Sequence, residues 1–490
     1  MKQNPVHFAP RVLLITILVL VSVLNIAFGQ TKSEKINELM THFYEYGQFN
    51  GAVLVAEQGK VIYKKGFGFA NMEWDIPNQA DTKFRLASIT KQFTSMMILQ
   101  LVQQGKLKLD GKITEYIPDY PKKTGDNITI HHLLTHSSGI PDYTVFPNYR
   151  RNISRNTSTP EAFVTLFADS ALMFEPGTRF SYSNSGYFLV GVIIEKITGK
   201  PYEQVLQENI LSPCNMNSTG YDHPRTILKK RASGYERDGV TYVNTPYLDM
   251  SVPYSAGALY STVEDMYLWD QALNTDKLLS EKMRDLLFTP YFPASGFSYG
   301  YGWNVGNAPV GRTSDSVMVI QHGGGINGFV TLISRIPSDK SLVVLLNNTG
   351  SARLDNISRA IRGILYDKPY DLPKKSIADT VWTTITEKGL TSGLELFNEL
   401  KHSEIYEVRE GEMNMMGYRL LGLNKVNDAI EVLKLNVDAF PKSSNAYDSL
   451  GEAYMISGDK ELAIQNYKKS VELNPNNANG IETLKKLQAK

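Results

Sequence analysis

The sequence predicts a mixed α/β fold, in which one sheet is assembled from strands at both ends of a domain with helices around it, followed by an all-α repeat region. Three observations carry this expectation. Strand-like segments follow Asn50 and return beyond residue 300. The stretch between them is rich in helical runs separated by Pro/Gly loops. Past Asp367-Lys368-Pro369 the composition changes and residue types recur at a fixed spacing.

Taken in order, the chain opens with Lys2 and Arg11, an apolar run from Val12 to Leu24, and Ala27-Phe28-Gly29 before Gln30. Small residues there suit a signal peptidase, so residues 1–29 are expected to be an export signal cleaved after Gly29, which puts the body in the periplasm. The alternative is an uncleaved membrane anchor, since Val12 to Phe28 is near the lower limit for crossing a bilayer. Ser33 to Phe49 has a helical pattern. Ala52-Val53-Leu54-Val55-Ala56 and Val61-Ile62-Tyr63 flank Glu57-Gln58-Gly59-Lys60, which reads as a β-hairpin. Helical runs fill the section from about Phe84 to Asn274. Strands are then expected at Gly300 to Val305, Val317 to Ile320, Gly328 to Ile333 and Leu342 to Leu346.

In the C-terminal part a 34-residue period matches Gly417 with Gly451, Ala429 with Ala463 and Pro441 with Pro475, and this resembles tetratricopeptide repeats. Asn424 and Gly458 stand where each helix pair turns, because a left-handed backbone favours those residues. A degenerate third copy can be laid over residues 376–410, with Leu394-Glu395-Leu396-Phe397 in its second helix. Two repeats leave one face uncovered, so this copy or the preceding domain must cover it. The repeats suit either a groove for a protein partner or a stabilising appendix. The expected organisation is a signal peptide (1–29), a mixed α/β domain (30–367), and a linker with helical repeats (368–490).

Composition narrows the function. The formal charge is +1, falling to −1 once Lys2 and Arg11 leave with the leader, so there is no basic excess to hold a nucleic acid. The lone Cys214 cannot form an intrachain disulfide and reads as a buried apolar residue. No Cys/His cluster has zinc-ligand spacing. His131, His132 and His136 lack acidic or thiol partners nearby in sequence, and neither a metal nor another cofactor is expected.

Three short segments could carry chemistry. In Ala87-Ser88-Ile89-Thr90-Lys91, ahead of the apolar Met96-Met97-Ile98-Leu99, a spacing of three puts the Ser88 hydroxyl and the Lys91 amine on one helix face. The helix start adds positive potential there. The pattern alone decides little, because Ser457 and Lys460 repeat it in the turn of a repeat. Tyr182-Ser183-Asn184 closes a Pro/Gly turn at the entry to an apolar helix, whereas the other Tyr-x-Asn, Tyr242 and Asn244, lacks that setting. His322-Gly323-Gly324-Gly325 is expected between two strands, where glycines let the backbone approach substrate and aim an N–H at a carbonyl oxygen.

In this order the three segments resemble the serine β-lactamase and penicillin-binding protein superfamily, with Tyr182-Ser183-Asn184 similar to its class C and low-molecular-weight DD-peptidase branch. The resemblance runs from about Asn50 to Asn348 and includes Ile130-His131-His132-Leu133-Leu134-Thr135-His136-Ser137-Ser138-Gly139-Ile140-Pro141 and Ser255-Ala256-Gly257-Ala258-Leu259-Tyr260-Ser261-Thr262. It implies an antiparallel sheet flanked by helices with a helical subdomain. It also implies an acyl-enzyme at Ser88, with Lys91 and Tyr182 as the other catalytic residues. Asn184 is implied to bind Lys91 and the substrate amide, and the Ser88 and Gly325 N–H groups to hold the oxyanion. In relatives the third segment commonly reads Lys-Thr-Gly or His-Thr-Gly. Here Gly323 replaces the hydroxyl that helps hold a substrate carboxylate, at a cost of ~1.5–3 kcal/mol. His322 can still supply positive charge if its surroundings keep it protonated.

The expected function is therefore an exported serine hydrolase for a small ester, amide or D-amino-acid peptide. The alternatives are a DD-carboxypeptidase on cell-wall stem peptides, a weak β-lactamase, or a non-catalytic sensor that binds a protein partner through its repeats. Tyr299, Tyr301 and Trp303 alternate as a strand face does and read as packing, with Trp303 near the cleft mouth. Glu175 and Arg179 bracket a turn and are expected to pair or stay solvated.

Overall fold

The computed structural model describes residues 30–239 and 241–489. The expected leader lies outside the described residues. The first helix, α1 (Lys32–Glu45), is opened by a reciprocal cap between Thr31 and Glu34 and buries Ile36, Leu39, Met40 and Phe43. Strands β1 (Gly51–Glu57) and β2 (Lys60–Phe67) then form the expected hairpin. Its two-residue turn places Gln58 and Gly59 at φ 51° and 73°, the left-handed pair that a tight hairpin needs.

The middle section supplies three long helices, α2 (Thr90–Gln103), α3 (Asn184–Thr198) and α4 (Val263–Leu273), with shorter turns between them. Six strands follow: β3 (Phe292–Ala294), β4 (Phe297–Tyr299), β5 (Asn304–Pro309), β6 (Ser316–Ile326), β7 (Phe329–Ile336) and β8 (Ser341–Asn347). They join the hairpin in one eight-stranded antiparallel sheet of order β3-β4-β5-β6-β7-β8-β1-β2. Strand β1 pairs with β8 from Gly51↔Asn347 to Ala56↔Leu342, so the two ends of the domain meet inside the sheet.

Both sheet faces are covered, which is why β1 and β8 are apolar throughout instead of alternating. Val53, Val55, Val343 and Leu345 face α1 and α5 (Leu354–Leu365), while Ala52, Leu54, Ala56, Leu342, Val344 and Leu346 face the larger core. In that core Trp269 of α4 stacks on Phe93 of α2, with ring centroids 4.3 Å apart. Cys214 is buried, as its composition suggested.

Three local expectations are corrected. The run from Gly300 to Val305 is not one strand: β4 ends at Tyr299, Gly302 turns at φ 78°, and β5 begins at Asn304. Tyr299, Tyr301 and Trp303 are all buried, but Trp303 is fully enclosed, packed beside Phe288, and does not reach a cleft mouth. The His322-Gly323-Gly324-Gly325 segment lies within β6, not between strands, and keeps register with β7 from His322↔Ile333 to Gly325↔Val330. Glycine weakens a strand on propensity alone, but here the close approach of another backbone requires it. A Cβ on Gly324 would stand 2.1 Å from Leu86 O.

The remaining helices pair as the spacing requires: α6 (Ile377–Lys388) with α7 (Leu390–Leu400), α8 (Glu410–Gly422) with α9 (Val426–Ala439), and α10 (Ser444–Ser457) with α11 (Lys460–Leu473), closed by α12 (Ala478–Gln488). Asn424 and Gly458 turn at φ 58° and 87°. Gly417 and Gly451 are glycines because Leu433 and Tyr467 press against them, and a Cβ would meet those side chains at 2.6 and 3.1 Å. The degenerate copy covers the open face: Ile377, Val381, Ile385 and Phe397 share a core with Met413, Met416 and Leu420. This region docks on the preceding domain through ion pairs from Arg237 to Asp379 and from Arg419 to Asp238.

Candidate active site

Ser88 sits in a single 3-10 turn, Ala87–Ile89, that runs directly into α2. Ala87 holds a φ of 50°, a left-handed value that costs ~1–3 kcal/mol for a residue with a Cβ and persists only where neighbours enforce it. The neighbours are present. Thr331 of β7 donates to Leu86 O at 2.9 Å, and the Leu86 N–H donates to Leu259 O at 2.8 Å. The turn leaves Ser88 half-buried on a cavity wall with the buried α2 behind it.

Lys91 is fully buried one turn further on. Its Nζ lies 3.1 Å from Ser88 Oγ, 2.8 Å from Asn184 Oδ1 and 2.8 Å from Ala256 O. Burial lowers its pKa from 10.5 to about 7, with the Asp142 carboxylate pulling in the opposite direction. A neutral amine has two N–H donors and one lone pair. Because Asn184 Oδ1 and Ala256 O only accept, they take the two donors and leave the lone pair facing the Ser88 hydroxyl. The Asn184 amide is oriented from behind by Asp142, whose Oδ2 accepts from Nδ2 at 3.0 Å. Asn184 itself begins α3 just after the N-cap Ser183, which is how a helix start carries it to this point.

Tyr182 packs with its ring 4.8 Å from Lys91 Nζ, on the Ser88 side of the amine. Burial pushes the phenol above its ordinary pKa, so Tyr182 keeps its proton at neutral pH. His136, at φ 55°, grips this loop: its Nδ1 accepts from Ser183 N–H at 3.1 Å and its carbonyl from Ser181 N–H at 2.8 Å. Its ring lies 4.1 Å from that of Tyr182.

His322 does not supply the charge that sequence reasoning allowed it. It is buried on the inner face of β6, donates from Nδ1 to Gly323 O at 2.6 Å and accepts at Nε2 from Tyr299 at 3.0 Å. Burial, then the charge of Lys91, lowers its pKa to about 4, so it is neutral at physiological pH. By the strand's period of two, Gly324 shares the buried face while Gly323 and Gly325 are exposed on the other.

Ser88, Asn184 and Gly325 line a cavity of about 560 Å³. Its rim is formed by the loop that carries Tyr143 and Arg155, the segment from Pro246 to Gly257, and the β6–β7 turn at Ile326 and Asn327. A separate cavity of about 240 Å³ lies at the seam with the repeats, lined by Arg237, Asp379, Trp382 and Arg419, and contains none of the candidate site residues. Among the described residues the other Tyr-x-Asn is remote in kind, since Tyr242 and Asn244 lie on a short hairpin strand and Tyr242 donates to Gly47 O at 3.3 Å. Arg179 lies over the Phe174 ring at 4.6 Å instead of pairing with Glu175.

A family model described as beta-lactamase matches residues 36–365, and a tetratricopeptide repeat model matches residues 444–477. The chain belongs to the beta-lactamase family. Penicillin-binding protein 4* of Bacillus subtilis is 32% identical over 409 residues, which cover 77% of this chain and 88% of that protein. Among solved structures, a penicillin binding protein from Bacillus halodurans matches with a TM-score of 0.60 at 30% identity, over 66% of this chain and 98% of that one. A D-amino acid amidase from Ochrobactrum anthropi SV3 matches with a TM-score of 0.58 at 26% identity, over 68% and 98% respectively. The beta-lactamase domain is thus of the serine hydrolase type shared with penicillin-binding proteins.

Two residues of this beta-lactamase site escape a reading of the sequence. Asp142 directly follows the His136-to-Pro141 segment, but nothing local links it to Asn184, which is 42 positions away. His136 is one of three histidines in its segment, and nothing local links it to the loop of Tyr182 and Ser183. A carboxylate in a Gly/Pro loop just after a family-like segment is the one signal that could have raised Asp142.

Proposed function

We propose that this chain is an exported serine hydrolase that forms an acyl-enzyme at Ser88 and acts on a small ester, amide or D-amino-acid peptide. The observation that supports it most is the arrangement of Lys91. Its amine is held by two obligate acceptors with its lone pair toward Ser88 Oγ, and burial brings its pKa to about 7.

In this reading Ser88 Oγ bonds to the acyl carbon while its proton passes to Lys91. Tyr182, a neutral phenol, gives its proton to the departing oxygen or nitrogen and regains one from Lys91. The carbonyl oxygen takes up negative charge near the N–H groups of Ser88 and Gly325, an interaction worth ~3–4 kcal/mol in other acyl-transfer enzymes. Water then attacks the acyl-enzyme and the same groups run in reverse. The neutral His322 and the absent hydroxyl at Gly323 speak against an efficient β-lactamase, because nothing there compensates a substrate carboxylate. Likeness to a D-amino acid amidase and to penicillin-binding proteins supports amides or peptides of D-amino acids.

The test is intact-protein mass after exposure to a fluorophosphonate and, separately, to a penicillin, with Ser88→Ala as control. A fluorophosphonate adduct that Ser88→Ala abolishes is expected, and a penicillin adduct on the same serine would shift the substrate toward cell-wall peptides. An adduct that survives Ser88→Ala, or none at all, would overturn the assignment.

A further inference from the structure

The structure points to a substrate whose acyl part carries a negative charge, which we propose is recognised by Arg150 and Arg155; this rests on the reading of Ser88 given above. The cavity beside Ser88 is lined on the Asn184 and Gly325 side and includes neither Tyr182 nor His322. If Tyr182 serves the leaving group, the cavity is where the retained acyl part lies. Arg150 and Arg155, carried by the loop around the 3-10 turn Ile153–Arg155, both line its wall. Both side chains are exposed, and neither makes an ion pair or donates a side-chain hydrogen bond among the described residues.

Among the described residues Glu236 is the one carboxylate in the lining, and it accepts from Thr245 Oγ1 at 2.9 Å. Nearby Asp249 is likewise engaged, by Ser251, Thr157 and Tyr247. Lys91 is buried behind the wall and is not part of it. Among the described residues, the two arginines are therefore the only cationic residues lining the cavity, with one lining carboxylate that is already hydrogen-bonded. The loop that bears them is tied to the opposite rim, since the Asp249 N–H donates to Ser154 O at 2.9 Å. Paired, forked donors on a tethered loop suit a carboxylate. The third segment, with neutral His322 and Gly323, offers no charge in return, so anion recognition has moved from the leaving-group side of Ser88 to the acyl side.

The experiment compares two fluorophosphonates that differ only at the chain end, a carboxylate against its methyl ester, by their second-order rates of labelling Ser88 in the full chain. The carboxylate probe is expected to react roughly tenfold faster or more at low salt. Arg150→Gln combined with Arg155→Gln should bring the ratio to near one without slowing the neutral probe, which also reports that the variant is folded. Arg150→Glu with Arg155→Glu should invert the preference. Equal rates for the two probes in the unaltered protein, or a ratio that survives the double substitution, would overturn the proposal while leaving the serine assignment intact. Failure of both probes to label would instead remove the serine reading and this inference with it.

Discussion

The chain contains Ser-x-x-Lys twice, and the two copies have opposite fates. In the beta-lactamase domain Ser88 and Lys91 follow one another through a 3-10 turn into a buried helix, and their side chains meet at 3.1 Å. In the repeats Ser457 ends α10, Gly458 turns the chain at φ 87°, and Lys460 begins α11, so the same spacing crosses a corner. Ser457 Oγ donates to Tyr454 O at 2.8 Å, and both Ser457 and Lys460 are exposed. The comparison teaches that the spacing supplies proximity only when the backbone between is helical, and that an altered amine requires burial besides.

Removing the amines breaks the comparison most sharply. Lys91→Met should lower the acylation rate by ~10²–10⁴-fold, whereas Lys460→Met should leave it unchanged, as read by fluorophosphonate labelling. Equal effects would mean that the lysine acts only through folding. In the unaltered protein the rate should rise with pH through about 7, as Lys91 becomes the neutral base. The same shift carries a stability signature. The folded pKa lies below that of the unfolded chain, so unfolding takes up a proton between about pH 7 and about 10. The penalty from Lys91 is complete below that window and fades as pH rises through it. Lys91→Met should therefore gain most in thermal midpoint relative to the unaltered protein near pH 6 and least near pH 10.

Glycines of β6 sharpen the contrast between packed and open sides of the site. A Cβ on Gly324 would stand 2.1 Å from Leu86 O and 2.4 Å from Thr331 Oγ1, while one on Gly325 meets nothing within 4 Å. Gly324→Ala should push β6 away from the Ser88 turn, with a loss of about 1–3 kcal/mol and slower labelling. Gly325→Ala should leave the thermal midpoint nearly unchanged. A destabilised Gly325→Ala beside a normal Gly324→Ala would refute the packing described for this strand.

The subtlest expected effect belongs to Asp142. Asp142→Asn keeps an acceptor for Asn184 but removes the charge that raises the Lys91 pKa. The acid limb of the labelling rate should move to lower pH, with its plateau changed by less than about tenfold. Lys91 is also faced by Tyr182 and Tyr187, and its charge reaches His136 and His322, both of which burial keeps neutral at that pH. An unmoved acid limb would show that Asp142 acts on Asn184 by orientation alone.

What the sequence determined by itself is local or periodic. The hairpin at Gln58 and Gly59, the apolar strands β1 and β8, the helix that follows Ser88, and the 34-residue period with its turns at Asn424 and Gly458 all follow from chain geometry over a few residues. The candidate triad of Ser88, Lys91 and Tyr182 was legible through family resemblance, because each member sits in a short segment with its own pattern. The placement of the glycine segment was misread, since the approach of Leu86 that suits Gly324 to a strand comes from 238 positions earlier in the chain. Charge states too were decided only by tertiary structure. Lys91 and His322 depart from their ordinary pKa values because other elements exclude water from them, and the order Asp142, Asn184, Lys91, Ser88 exists only where the 3-10 turn Tyr143–Val145, α3 and α2 converge. Dielectric surroundings and long-range hydrogen bonds belong to packing, and no window of sequence contains them.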